Sequence, residues 1–292
     1  MEGNATFHAS KRLATIVAVL TLGSWFFTPH SQAAGVWTNE PAGATVVMDC
    51  PFNSVAGCGI LDAYASSQIA SDGSAPISPG NAVKSAIYPG NSAGGMQLNY
   101  VTSQLNREMY VGLMWRTNPQ FQGRPVGNKT FFIRGPGSNG VFLFNNAALN
   151  GGSGPMIFAH NTGGLDNSHA CALDSGLACY PNVGPGILTV GTWTKLEAYI
   201  KASTTPTSRD GIVRWWVNGV PAGSYTNLNY GAGGLNEWAW SETWDGLVNP
   251  VPTVEWNHFI DHLHVSTGGG GASTDLPPGP PANPTIRSVT TP

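Results

Sequence analysis

Apolar and polar positions alternate along much of this chain with the period of two that a β-strand requires. The pattern is clearest between Trp193 and Gly219. There, WTKLEAYIK places Leu196, Ala198 and Ile200 on one face and Lys195, Glu197, Tyr199 and Lys201 on the other. After a polar turn, GIVRWWVNG sets Val213, Trp215 and Val217 against Ile212, Arg214, Trp216 and Asn218. Such a pair predicts two adjoining strands with one dry face and one face rich in aromatic and charged groups. A face of that kind suits a carbohydrate, because rings stack on sugar faces and charged donors hold hydroxyls or carboxylates. An ordinary half-solvated antiparallel sheet alternates in the same way, so the pattern alone supports either reading.

The same period recurs on both sides of this segment. Thr45, Val47 and Asp49 alternate with Val46 and Met48 in a first strand, and Lys84–Ile87 and Gly95–Tyr100 are short candidates. REMYVGLMWR, Arg107–Arg116, sets Met109, Val111, Leu113 and Trp115 against Tyr110, Gly112, Met114 and Arg116. Lys129–Arg134, Gly140–Phe144 and Pro155–His160 follow, separated by Gly-, Ser- and Asn-rich turns. The stretch Asn227–Pro252 reads as a long Gly/Trp-rich loop. A last strand, Asn257–Ser266, sets Phe259, Asp261, Leu263 and Val265 against His258, Ile260, His262 and His264. Short strands at this spacing, with no long amphipathic helix, predict an antiparallel β-sandwich. His262 and His264 read as a surface stripe rather than a metal pair. Trp238, Trp240, Trp244 and Trp256 read mostly as caps on the core.

The amino terminus changes the picture by adding a leader. Lys11 and Arg12 precede an apolar run from Leu13 to Phe27, and Ser31-Gln32-Ala33 ends it with small residues, so residues 1–33 read as a secretory signal. Cleavage after Ala33 moves the formal charge from −3 to −4, a weak acidity with no electrostatic footprint for nucleic acid. A secreted or periplasmic protein, off the membrane once the signal is removed, is expected. Cys50/Cys58 and Cys171/Cys179 share one spacing, C-x7-C, and an oxidising compartment makes two local disulfides the natural pairing. Beyond Ser266, GGGGASTDLPPGPPANP has nothing to bury. Residues 34–266 therefore read as one carbohydrate-active domain and residues 267–292 as a disordered tail or linker.

Taken together, these elements resemble the secreted concanavalin A-like jelly rolls. Within that group they resemble alginate- and glucuronan-type polysaccharide lyases, and the laminin-G-like carbohydrate-binding domains found beside them. Gly127-Asn128-Lys129 before an apolar strand and Gly135 resembles the lyases' GGK-L-x-G-x element. Glu197–Lys201 with Asp210-Gly211 through Gly219 resembles their Y-x-K-x-N … DG … W-V-N-G hairpin. The resemblance covers roughly Trp37–Ser266. It departs where the Arg-x-Glu-Leu-Arg and Gln-Ile-His strands of one alginate-lyase family are absent.

The resemblance implies cleavage of a uronic-acid polymer by β-elimination. A cation or amide neutralises the C5 carboxylate, a Tyr or His removes the adjacent proton, and a Tyr protonates the leaving oxygen. The catalytic candidates are Tyr199, Lys201, His160 and Lys129, with Arg134, Glu197, Arg214 and Trp216 as substrate-binding candidates. The hairpin's polar face is the expected groove floor, and Tyr199 and Lys201 lead the set. Strict alternation puts Arg134 with Thr130 and Phe132 but Lys129 on the opposite face, so both can serve only if Lys129 belongs to the turn. No cofactor is required; Asp62, Asp72 and Asp245 are candidates for a structural calcium, although no ligand loop stands out. The expected partner is an anionic polysaccharide, met by a monomer. A non-catalytic, lectin-like jelly roll and a glycoside hydrolase are the alternatives that the same scaffold allows.

Overall fold

Two antiparallel sheets lie face to face in the computed structural model, which describes residues 36–62, 67–78, 80–90, 97–122, 128–135, 140–146, 156–161, 178–179, 181–228, 233–243 and 251–268. Sheet A runs in the order β13 (Val220–Leu228), β12 (Gly211–Val217), β11 (Thr194–Lys201), β6 (Glu108–Thr117), β15 (Trp256–Thr267), β4 (Gly80–Ile87) and β3 (Gln68–Asp72). Strand β1 (Thr45–Cys50) pairs with the second half of β15, beyond the reach of β4. Sheet B runs β10 (Ala178–Cys179), β9 (Met156–Asn161), β8 (Gly140–Asn146), β7 (Asn128–Arg134), β14 (Leu235–Thr243), β5 (Leu98–Asn106) and β2 (Leu61–Asp62). The leader, the tail beyond Gly268, Trp244, Asp245 and Cys171 lie outside the described residues.

Alternation sorts the side chains as the hairpin pattern requires. Leu196, Ala198 and Ile200 of β11 and Val213, Trp215 and Val217 of β12 join one buried cluster with Phe131, Ile133, Trp238 and Trp240 of sheet B. β11 and β12 pair antiparallel, with Tyr199 opposite Arg214 and Glu197 opposite Trp216. The Asn218-Gly219 pair then returns the chain into β13 with φ of 53° and 77°, the left-handed values that two-residue hairpin turns demand. Opposite Trp215 in β13 stands Gly223, where a Cβ would come within 2.0 Å of the Trp215 ring. That glycine makes room for an indole packed parallel to Tyr225, with ring centroids 6.0 Å apart.

The stretch expected as a Gly/Trp-rich loop contains β14, an inner strand of sheet B paired with β7 on one side and β5 on the other. Glu237-Trp238-Ala239-Trp240 alternates with both indoles fully buried, in the interior rather than at the rim of the core. Trp256 is likewise at 0 % exposure.

The last strand departs from simple alternation in one place. A β-bulge between Asp261 and Leu263 inserts one residue, His262, held at φ 53°. Ile260, Leu263 and Val265 consequently all face the core. His264 moves to the outward row opposite Gly112 and Asp49, and is fully buried there. A surface histidine stripe is therefore not what forms. His258 is buried against Trp256 and Trp115, with ring centroids 4.3 and 6.0 Å away. His264 lies between two carboxylates, Glu40 at 2.9 Å from Nε2 and Asp49 at 3.2 Å from Nδ1.

Two predictions follow from this packing. Gly223→Ala drives a methyl into a fixed ring, and is expected to cost roughly 1–3 kcal/mol, read as a lowered thermal midpoint in calorimetry. The second concerns pH. Burial pushes His258 well below the ordinary 6.5, so the stability it carries is lost as pH falls from that value. Burial also works to lower His264, but the hydrogen bonds and charges of Asp49 and Glu40 outweigh it and raise this group. Its contribution is complete below 6.5, the unfolded value, and is lost as pH rises through the raised one. Denaturant melts from about pH 5 to about 8 should show stability greatest near the unfolded histidine value. His264→Gln should remove the alkaline decline and leave the acid one.

Candidate functional site

The outward faces of the two sheets point in opposite directions from the core, with about 10 Å between the sheets themselves. Each was built from residues singled out in the sequence, and each has its own character.

On sheet A the outward face is closed by the segment that precedes β1. Trp37 stacks on His264 with centroids 5.6 Å apart and lies directly over Gly112, where a Cβ would meet the indole at 2.4 Å. Asn39 donates to Glu197 through its backbone N–H, 3.3 Å, and its Nδ2, 3.0 Å. Tyr110 donates its hydroxyl to the same carboxylate at 2.7 Å, and Lys195 Nζ sits 3.2 Å away. A carboxylate at 1 % exposure is thus met by donors on both oxygens, the condition for holding a charge out of water. Burial, and then the Glu197 charge beside it, raises the Tyr110 phenol far above its ordinary range. Tyr199 is fully buried and Trp216 nearly so. Burial lowers the Arg214 guanidinium. Lys201 lies 3.6 Å from Glu108.

On sheet B the outward face centres on Arg134. Its Nε and Nη2 grip the two oxygens of Glu237 at 2.6 and 2.7 Å, a two-point pair with partly exposed side chains. Asn99 of β5 donates to the same carboxylate. Phe132 lies under the guanidinium, 5.8 Å from ring centroid to Cζ. Exposed Leu61 and Val101 stand on the register positions beside Asn99 and Glu237. A β-bulge between Lys129 and Phe131 shifts the register of β7, so that Lys129 pairs with Phe144 while Phe132 pairs with Phe142. Both partners are even positions of β8, so Lys129 and Phe132 share one row. Lys129 is part of the strand, and the bulge rather than a turn brings it to the side of Arg134. His160 pairs with Phe142, which places it in the same cross-strand row as Phe132.

The eight candidates therefore divide. Lys129, Arg134 and His160 belong to sheet B; Glu197, Tyr199, Lys201, Arg214 and Trp216 belong to sheet A. The face expected as the groove floor is covered by Trp37 and Asn39, and its tyrosine touches no solvent in this conformation. Sequence reasoning missed Glu237 and Asn99, which hold Arg134. The alternation through Trp238 and Trp240 was the available signal, hidden by its Gly-rich flanks. Cys50 and Cys58 form the expected disulfide; of the second pair, Cys171 lies outside the described residues. Among the calcium candidates, Asp62 accepts from Ser67 and Asp72 pairs with Arg116 at 2.5 Å. No group of three or more His, Cys, Asp or Glu among the described residues is arranged to hold a metal.

No family model matches the chain, and no curated protein matches it in sequence. Solved structures do share its fold. Alginate lyase Aly36B, a double variant in complex with an alginate trisaccharide, has a TM-score of 0.52 at 17 % identity, over 80 % of this chain and 96 % of that one. The marine PL-14 alginate lyase from Aplysia kurodai has a TM-score of 0.52 at 14 % identity, over 77 % of this chain and 100 % of that one. The endo-β-1,4-glucuronan lyase of the fungus Trichoderma reesei stands at 0.49 and 12 % identity, over 69 % and 87 %. The chain is an all-β jelly-roll sandwich, similar in fold to alginate lyases.

Proposed function

We propose that this chain is an exported polysaccharide lyase that cleaves a uronic-acid polymer by β-elimination on the outward face of sheet B. The observation that carries the reading is the row formed on β7. Lys129, Phe132 and Arg134 stand on one side of that strand, in register through β8 with His160, and Glu237 holds Arg134 in place. The likeness in fold to alginate lyases, one of them solved with an alginate trisaccharide, supports an acidic polysaccharide as the ligand. The Cys50–Cys58 disulfide supports an oxidising compartment, as does the leader-like start of the sequence.

A uronate resists loss of its C5 proton because the neighbouring carboxylate already carries negative charge. Arg134 answers that difficulty. Glu237 takes its Nε and Nη2, leaving the Nη1 edge to meet a substrate carboxylate. His160 takes the C5 proton, the C4–oxygen bond breaks with its electron pair passing to the oxygen, and Lys129 supplies a proton to that leaving oxygen. A C4–C5 double bond remains. Lys129 and His160 are two strands and two register positions apart, roughly 12 Å between backbones, a spacing that leaves room for a sugar residue between them. Phe132, buried beneath Arg134, backs the guanidinium from below. The elimination as drawn uses no cofactor.

The test is to offer alginate, a polyglucuronate and a neutral glucan, following near-ultraviolet absorbance and reducing ends together. Absorbance should rise with a uronate polymer only. His160→Ala and Lys129→Ala should each lower kcat by about 10²-fold or more. Tyr199→Phe, on the covered face, should leave it within about twofold, because a buried group that touches no substrate adds nothing to transition-state binding. Reducing ends without absorbance would mean a hydrolase, and binding without either would mean a lectin.

A further inference from the structure

A hydroxyl, an imidazole and a carboxylate stand in line on sheet A, far from the face used above. Ser78 Oγ is 2.9 Å from His262 Nδ1, and His262 Nε2 is 2.7 Å from Asp49 Oδ1. Three segments distant in the chain meet there: the turn entering β4, the bulge of β15 and the outward side of β1. We propose that Ser78 is an activated nucleophile, with His262 as its general base and Asp49 as the positioning residue, in a second site that takes small acyl esters.

Several independent features of the backbone serve this arrangement. His262 occupies the bulge residue at φ 53°, a left-handed conformation uncommon outside glycine, and such strain collects at functional positions. Without that extra residue, strict alternation would place position 262 on the core side with Ile260. Its neighbour Asp261 accepts from the backbone N–H groups of Ile77 at 2.8 Å and Ser78 at 3.1 Å. Adjacent residues of β15 thus grip adjacent residues of the turn, one by backbone and one by side chain. Asp49 is steadied from the other side by His264, which Glu40 holds in turn. Burial works to raise the Asp49 carboxyl, but the bonds and charges of His262 and His264 hold it well below the ordinary carboxylate range. It therefore stays ionised and can stabilise an imidazolium. The His262 and Asp49 side chains keep 12 % and 22 % exposure, so a small ester reaches the line, whereas His264 beside them is sealed.

The chemistry closes without an added reagent. Ser78 Oγ attacks the acyl carbon while its proton passes to His262 Nδ1, and the alcohol leaves as it takes that proton back. Water then repeats the sequence and releases the acid. Relative to the usual serine-hydrolase order the two ring nitrogens are exchanged, which leaves the proton transfers unaltered. Ile77 and Ser78 N–H groups are committed to Asp261 and do not serve a developing oxyanion. The expected acceleration is accordingly that of general-base activation, about 10² to 10⁴ over an ordinary serine, rather than that of a fast esterase.

The full chain, treated with a fluorophosphonate and separately with p-nitrophenyl acetate, tests this by mass mapping of the modified serines. Ser78 should be modified at least about 10²-fold faster than the other serines of the same sample. Labelling should vanish in Ser78→Ala and fall to the background rate in His262→Asn, where asparagine tolerates the left-handed backbone. Added imidazole should restore the label in His262→Asn and not in Ser78→Ala, a response that a merely structural hydrogen bond would not give. Ser78 labelled no faster than other serines in the unaltered chain, or as fast in folded His262→Asn as in the unaltered chain, would overturn the proposal. If His262→Asn does not fold, the rate at Ser78 in the unaltered chain decides.

Discussion

One inserted residue in β15 governs much of the outward side of sheet A. A strand buried on one face can keep its core register or change it, but a single extra residue lets it do both, because it turns the chain by half a pleat. Ile260 lies before the bulge, Leu263 and Val265 after it, and all three reach the same core. The outward positions are re-aimed in consequence. Asp261 grips the turn before β4, His262 meets Asp49, and His264 receives Trp37 and Glu40. A second bulge, between Lys129 and Phe131, acts in the same way on sheet B by bringing a lysine to the side of an arginine.

The two sheets use their outward polar groups differently. On sheet A the charges are turned upon one another: Glu197 is satisfied by Tyr110, Asn39 and Lys195, and its shielding from water makes those bonds strong and their loss costly. On sheet B the Arg134–Glu237 pair keeps partial access to solvent and stands beside exposed apolar side chains, a combination better suited to meeting a ligand. Similar residue types thus serve cohesion on one face and recognition on the other, and the covering segment makes the difference.

Periodicity made the hairpin of β11 and β12 legible down to which side chain faces the core, because alternation needs no knowledge of neighbours. It also identified β6, β7 and the all-β class. It failed wherever the answer lay in a tertiary partner. β14 was hidden because glycines flank its two indoles. His262 and His264 were misplaced because neither a bulge nor a covering segment leaves a mark in a pattern of polar and apolar letters. The hairpin's polar face looked open because nothing in Trp37–Glu40 announces that it folds across a strand more than a hundred residues away. Lys129, Arg134 and His160 were recognisable as types, but their shared side depended on a register shift that sequence does not display.

The covering segment also bears on how the molecule is made. Glu40 and Asp49 close on His264 across separations of 224 and 215 residues, and β15, the last in sequence of the described strands, lies between β6 on one side and β4 and β1 on the other. Every earlier strand of sheet A must therefore wait with an unfilled slot in its middle until residue 267 is available. Contacts of such span close slowly, and strands left with bare edges are liable to pair with those of other chains. For a chain that emerges amino terminus first, the sandwich is completed only after β15 has followed all the other strands described here.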